Sequence, residues 1–279
     1  METDDPMAMT WTDQLMDVGG TRLHLRRAGP SCGPASDPVV ILHDAGAESV
    51  DAPAWELVAA CRPVVQIMLP GVGESPRPPT GVDMSWVTDL LAGAVRELCQ
   101  GPVVLVGTSL GGWFALELAL AHPQVVGPLL LLDIAGLHSS RGYLFGLFTD
   151  GQGQAGHDGL LRPLLQRHRA PDEPQATQAY ITTMTAAAML SWSPYVMDPS
   201  LLARVGRLRS ATTIMWGERD ALIPLTHGQA LAKAMPDAEL VVVADAGHLL
   251  AIDAAEQVSR RLILPRLPSA SQCPSRNTD

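Results

Sequence analysis

One alternation runs through the chain and constrains its fold more than any other feature: short apolar runs that suit buried strands, several followed by stretches with helical spacing. The runs are Val39–His43, Val64–Met68, Val103–Val106, Leu129–Leu132, Thr212–Trp216 and Leu240–Val243. Each is too short for a helix and lacks strict apolar-polar alternation, which predicts strands covered on both faces. Helical spacing is found at Met84–Cys99, at Trp113–Pro123 and from Thr226 to Met235, where Pro236 closes the pattern. Strands alternating with helices predict an α/β fold with a mostly parallel, doubly covered sheet. Two alternating stretches around Gly19-Gly20 predict an N-terminal hairpin.

The alternation breaks once, because about 80 residues separate Ile134 from Thr212, far more than a crossover needs. A helical, apolar insert is therefore expected at 137–205, set into a core formed by 12–136 and 206–267. Within it, the Gly-rich stretch Asp150–Gly159 predicts a mobile loop. Residues 1–11 and 268–279 are expected to be flexible tails.

Charge narrows the function classes. With 19 Lys and Arg against 29 Asp and Glu, the net charge is −10, which argues against a nucleic-acid groove or a basic membrane-surface helix. The four cysteines, Cys32, Cys61, Cys99 and Cys273, form no C-x-x-C pair, so free thiols are expected rather than a zinc knuckle or disulfide framework. The first residues carry no basic and apolar leader, and no apolar run reaches the length of about 18 residues needed to span a bilayer. A soluble cytoplasmic protein is the resulting expectation. Neither a Gly-x-Gly-x-x-Gly fingerprint nor a P-loop lysine pattern is present, and no metal or cofactor is expected.

Chemistry enters at Gly107-Thr108-Ser109-Leu110-Gly111, which lies between an apolar strand and a helical run. The five-residue pattern alone is weak, but this context is that of a sharp strand-to-helix turn presenting a nucleophilic serine. A side chain two residues to either side of such a serine would collide with the neighbouring strand and helix, which explains both glycines. A serine needs a base, and the base needs an acid to hold its tautomer. His248, beside Gly247 and just after an apolar strand, stands at the C-terminal edge of the sheet, where ligands of open α/β sheets bind. Asp220 follows the strand Thr212–Trp216 at the same edge. Asp133, at the end of the preceding strand, is the competing acid.

With these residues in place the chain resembles the α/β-hydrolase superfamily, in particular its small capped esterase-like and carbon–carbon-bond hydrolases. The resemblance covers Gln14 to Leu267 and rests on GTSLGG around Ser109, WGERD ending at Asp220, AGH ending at His248 and LPGVGES from Leu69 to Ser75. It implies the α/β-hydrolase fold with a helical cap after the sixth strand. It further implies Ser109 as nucleophile, Asp220 as orienting acid and His248 as general base, with an oxyanion hole from the N–H groups of Leu110 and Ala45. Two positions depart from the family pattern. Asp44 stands where the His-Gly loop prefers glycine, and is expected to face away from the hole and hold the loop by local hydrogen bonds. Met68 replaces a common Asp before Leu-Pro-Gly.

His43, Asp44, Trp113, Met184, Met189 and Trp192 are candidate pocket residues, with core packing the competing reading for Trp113 and the cap residues. The expected partner is a small hydrophobic molecule: an ester, thioester or lactone. The alternatives are hydrolytic carbon–carbon cleavage of a vinylogous 1,5-diketone, a biosynthetic lyase or cyclase, and a non-catalytic ligand receptor.

Overall fold

A computed structural model describes residues 10–30, 38–47, 49–137, 174–191, 197–235 and 237–263. Eight strands form one sheet in the order β1-β2-β4-β3-β5-β6-β7-β8. They are β1 (Thr12–Val18), β2 (Thr21–Ala28), β3 (Val39–Leu42), β4 (Val64–Ile67), β5 (Val103–Thr108), β6 (Val126–Leu132), β7 (Thr212–Gly217) and β8 (Glu239–Val243). The hairpin β1-β2 and the pair β2-β4 are antiparallel, and every other pairing is parallel. Gly19 and Gly20 turn the hairpin with φ of 57° and 87°, a region that residues with a Cβ avoid.

Helices cover both faces. α1 (Pro53–Ala59), α2 (Met84–Leu98), α3 (Leu110–Ala121), α4 (Pro174–Leu190), α5 (Leu201–Arg204), α6 (Leu225–Ala234), α7 (Leu250–Asp253) and α8 (Ala255–Ile263) complete the described elements, with one 3-10 turn at Val205–Arg207. One apolar layer packs α2, α3 and α6 against the sheet around Leu105, Phe114, Leu131 and Trp216. A second, on the opposite face, packs α1, α7 and α8 around Trp55, Ile41, Leu132 and Val258. Such double coverage is what the continuous apolar runs of β3 to β7 require, whereas β8, expected to be covered as well, is an edge strand in which only Val243 is buried and Val242 is exposed. The expected helices α2, α3 and α6 are present, whereas α1 and α8 come as additions. α3 also starts at Leu110, earlier than Trp113, because the double glycine forms its first turn.

One backbone contact joins the two ends of the stretch expected as the insert. Gly136 and Met197 pair in an isolated parallel bridge, and the Asp198 N–H donates to the Gly136 carbonyl at 2.8 Å. From the stretch expected to form the cap, Ala187, Leu190, Leu201 and Val205 are buried in the same layer as α2 and α3. The Gly-rich loop expected at 150–159 lies outside the described residues, as does the C-terminal tail. Trp11, the last residue of the expected N-terminal tail, packs on the second layer beneath the Arg26 guanidinium, 5.1 Å from its ring centroid.

Candidate active site

β3 pairs with β4 on one side and with β5 on the other, so the strand order reverses there, and it is outside the C-terminal edge at such a reversal that open α/β sheets bind ligands. Ser109 sits on that edge between β5 and α3. Its φ of 52° and ψ of −115° are a conformation that costs a residue with a side chain about 1–3 kcal/mol. The packing around it holds the turn in place. A Cβ on Gly107 would come within 2.5 Å of the Gly111 carbonyl and the Gly112 Cα, and one on Gly111 would strike the carbonyls of Leu42 and His43. The glycines thus let α3 start directly off β5 and lie against the loop after β3. The Ser109 N–H donates to the Leu132 carbonyl at 2.9 Å, while its carbonyl accepts from Ala135 at 3.0 Å.

His248 joins Ser109 to Asp220. Its Nε2 is 2.9 Å from Ser109 Oγ and its Nδ1 is 2.8 Å from Asp220 Oδ2. A carboxylate only accepts, so in the neutral ring Nδ1 carries the proton and Nε2 accepts from the serine hydroxyl. Asp220 is held in turn by the N–H groups of Leu222 and Ile223, both 2.8 Å from its Oδ1. The three side chains come from three different strand ends and are almost wholly shielded, with His248 6% and Ser109 5% exposed. Burial opposes charge on the His248 ring, but the Asp220 carboxylate outweighs it, helped by Asp44 and Asp253, so the imidazole titrates above its ordinary range.

Asp133, the competing acid, has another partner. Its Oδ1 accepts from the Gly217 N–H at 2.7 Å, and its Oδ2 lies beside the Leu250 amide without meeting it in hydrogen-bond geometry. Complete burial, reinforced by the neighbouring Asp220 charge, pushes its carboxyl well above the usual range. Asp133 therefore holds its proton more tightly than an ordinary carboxyl does.

The loop after β3 carries His43, Asp44 and Ala45, all buried. His43 Nδ1 lies 2.7 Å from the Asp44 carbonyl, and its Nε2 accepts from the Leu69 N–H at 3.0 Å. Burial lowers its pKa despite Asp44, so it is a neutral ring that ties two loops together. Asp44 turns towards its own loop: Oδ2 accepts from the Gly46 N–H at 3.2 Å, and Oδ1 from the Ser49 N–H at 2.8 Å and from its hydroxyl. Where the family commonly has Asp, Met68 contributes only backbone here, accepting from Ser75 Oγ at 2.7 Å and donating to the His24 carbonyl at 2.9 Å. Leu110 opens α3, so its N–H has no acceptor within the helix.

The remaining candidates are dispersed. Trp113 is wholly buried, with its indole N–H 3.1 Å from Glu117 Oε1 and Gly136 packed on its ring. It borders a cavity of about 470 Å³ shared with Met84, Glu117, His122 and Arg204, which none of Ser109, Asp220 and His248 lines. Met184 packs partly buried against the main apolar layer, Met189 is half-buried, and Trp192 lies outside the described residues. Two neighbours had no sequence signal: Asp253, whose Oδ2 accepts from the Gly247 N–H at 2.9 Å, and Ser49. Among the described residues, no three His, Cys, Asp or Glu side chains converge as a metal site, and no helix is long and apolar enough to cross a membrane.

The sequence profile described as "Alpha/beta hydrolase family" matches residues 39–261, which include β3, the Ser109 turn and the His248 loop. The chain belongs to this α/β hydrolase family. It is similar to the dihydrolipoyllysine-residue acetyltransferase component of the acetoin cleaving system of Pseudomonas putida, 28% identical over 90% of this chain and 68% of that protein. It also resembles a 2-hydroxy-6-oxo-6-phenylhexa-2,4-dienoate hydrolase of Comamonas testosteroni, 27% identical over 57% of this chain and 60% of the relative's length. Among solved structures, a membrane phospholipase A superposes with a TM-score of 0.71 at 20% identity, covering 90% of this chain and 84% of the other. A dienoate hydrolase from Rhodococcus gives 0.67 at 22% identity, covering 92% and 98%. These two likenesses establish the fold.

Proposed function

We propose that this α/β hydrolase is a serine hydrolase cleaving a small hydrophobic carboxylic ester, thioester or lactone. The observation that carries the reading is the continuous hydrogen-bonded chain from Ser109 Oγ through His248 to Asp220, set on a strained turn at the switch point of the sheet. In this reading Ser109 Oγ attacks the carbonyl carbon as His248 Nε2 takes its proton, and Asp220 stabilises the imidazolium. The N–H groups of Ala45 and Leu110 receive the developing oxyanion. The protonated His248 then gives its proton to the leaving alkoxide or thiolate, which in a lactone stays attached to the acyl group, and in a second round takes a proton from the attacking water and returns it to Ser109 Oγ as the acid is released. The half-buried Met184 and Met189 are proposed to border the acyl pocket, and 137–205 to act as its cap.

A second reading, hydrolytic carbon–carbon cleavage by the same side chains, is favoured by the likeness to the Comamonas dienoate hydrolase. Its substrate would carry a carboxylate, which an ester substrate need not.

The test is hydrolysis of p-nitrophenyl esters from acetate to decanoate by the wild type and Ser109→Ala, with mass spectrometry for a covalent adduct. A Ser109-dependent rate, falling roughly 10⁴-fold or more in the variant, with an acyl adduct on Ser109, supports the reading. A folded wild type with neither turnover nor adduct overturns it.

A further inference from the structure

Loop 69–75, Leu-Pro-Gly-Val-Gly-Glu-Ser, is gripped at both ends by a buried histidine ring. The Leu69 N–H donates to His43 Nε2 at 3.0 Å, and the Glu74 N–H donates to His24 Nδ1 at 3.2 Å. Each ring's other nitrogen faces an oxygen that can only accept: His43 Nδ1 lies 2.7 Å from the Asp44 carbonyl, and His24 Nε2 lies 2.7 Å from Asp13 Oδ1. The two rings are therefore neutral and in opposite tautomers, with the proton on Nδ1 in His43 and on Nε2 in His24. In both, the one free lone pair of the ring is the one that the loop amide occupies. A second proton has nowhere else to go, so proton and amide compete for a single site. Between these anchors the loop touches α4, since a Cβ on Gly71 would strike the Cβ of the buried Ala186. Bonds of another kind also hold the loop: the Ser75 hydroxyl donates to the Met68 carbonyl at 2.7 Å and accepts from the His24 N–H at 2.9 Å, and none of these groups titrates.

We propose that loop 69–75 is an acid-released latch: a proton taken up by His24 or His43 displaces the loop amide bound there and loosens the seat of α4, while the Ser75 bonds keep the loop on the fold. The groups facing His24 are Asp13 from β1, with Arg26 of β2 3.9 Å from that carboxylate, and the exposed Glu74 of the loop. On His43 acts Asp44 from its own loop. Residues 110–113 of α3, where Gly111 packs against the His43 carbonyl, and residues 182–190 of α4 include no Asp, Glu, Lys, Arg or His. Burial outweighs Asp44 and keeps the His43 ring below its ordinary value of 6.5, so the Leu69 amide is released only below that pH. The latch is independent of the hydrolase reading, because it needs no substrate.

Nitrogen-15 NMR of the full chain tests this. At alkaline pH the ring nitrogens should show opposite neutral tautomers at His24 and His43. On acidification the Leu69 amide should shift along the curve that protonates His43, and the Glu74 amide along the curve that protonates His24. Each should then exchange with solvent about tenfold faster, after correction for the intrinsic pH dependence, which is the scale of one lost hydrogen bond. The Ala186 and Ala187 amides of α4 should lose protection with them. His24→Gln removes the titration at one end, so it should abolish the Glu74 step and leave the Leu69 step in place. The wild-type spectra decide the matter even if that variant fails to fold. The same tautomer at both rings, ring protonation with the Leu69 and Glu74 amides unmoved, or release of those amides with α4 still protected overturns the latch. Each of these results leaves the Ser109 reading standing, which the ester assay decides separately.

Discussion

Asp133 accepts the Gly217 amide at 2.7 Å and so fixes the end of β7, from which the chain leads to Asp220. The strand end that delivers one acid is thus tied down by a second acid, fully buried, whose surroundings raise its pKa well above the usual carboxylate range. Because the native state keeps this proton, the unfolded chain loses it first as pH rises past the ordinary value of 3.8. Stability from this group is therefore greatest below that value and falls as pH climbs to the native pKa.

Asp133→Asn removes the titration. Relative to wild type, the variant should gain about 1.4 kcal/mol for each pH unit between the unfolded and native pKa values, as read from urea unfolding at pH 5 and pH 7. Stability curves that stay parallel across this interval would reject the assignment.

Substituting Asp220 tests which acid serves His248. In Asp220→Asn the amide leaves the wrong imidazole tautomer facing Ser109, and kcat should drop by roughly 10⁴-fold. Since Asp133 is spent on Gly217, the double variant Asp220→Asn, Asp133→Asn should lose little more. A further hundredfold fall would show that Asp133 substitutes for the missing acid.

The pH profile follows from His248. In the proposed reaction His248 must be neutral to take the serine proton, and its folded pKa lies above 6.5, so kcat/KM should rise with pH along an acid limb centred above that value. The carboxylates acting on the ring are Asp220 from the β7 loop, Asp44 from the β3 loop and Asp253 from α7, while Asp133, with its raised pKa, neighbours Asp220. Asp253→Asn removes one of these charges and should move the limb to lower pH. A limb that stays in place would discount the Asp253 charge.

Gly107→Ala probes the turn itself. Its Cβ would meet backbone of the first turn of α3 within 2.5 Å, with no flexible side-chain end to yield. A loss of stability of about 1–3 kcal/mol or more is expected, together with loss of Ser109 reactivity. Gly101→Ala is the control, since nothing lies within 4 Å of its Cβ. Equal melting temperatures for the two variants would contradict the steric account.

Much of this architecture is legible in the sequence because buried parallel strands are near-continuous apolar runs, and all six such runs are strands. α1 escapes notice because seven residues beginning at Pro53 are too few to establish a period. α8 follows the four-residue α7 with only Ala254 between them, which blurs both patterns. At the site, Ser109, Asp220 and His248 can be picked out because each sits just past a strand with a telling neighbour. Asp253, Ser49 and the Asp133–Gly217 bond cannot, since each depends on how a loop folds back on itself, which neither spacing nor composition encodes. Trp113 shows the limit from the other side: four residues after the serine on α3, it has its indole turned to Glu117 in the interior.

The Gly136–Met197 bridge gives this fold an anatomical seam. It joins Gly136, just after β6, to the chain that leads into α5 and β7. Arg204 grips both Glu117 on α3 and Asp198, so the chain that leads into β7 is fastened to the helix that follows Ser109.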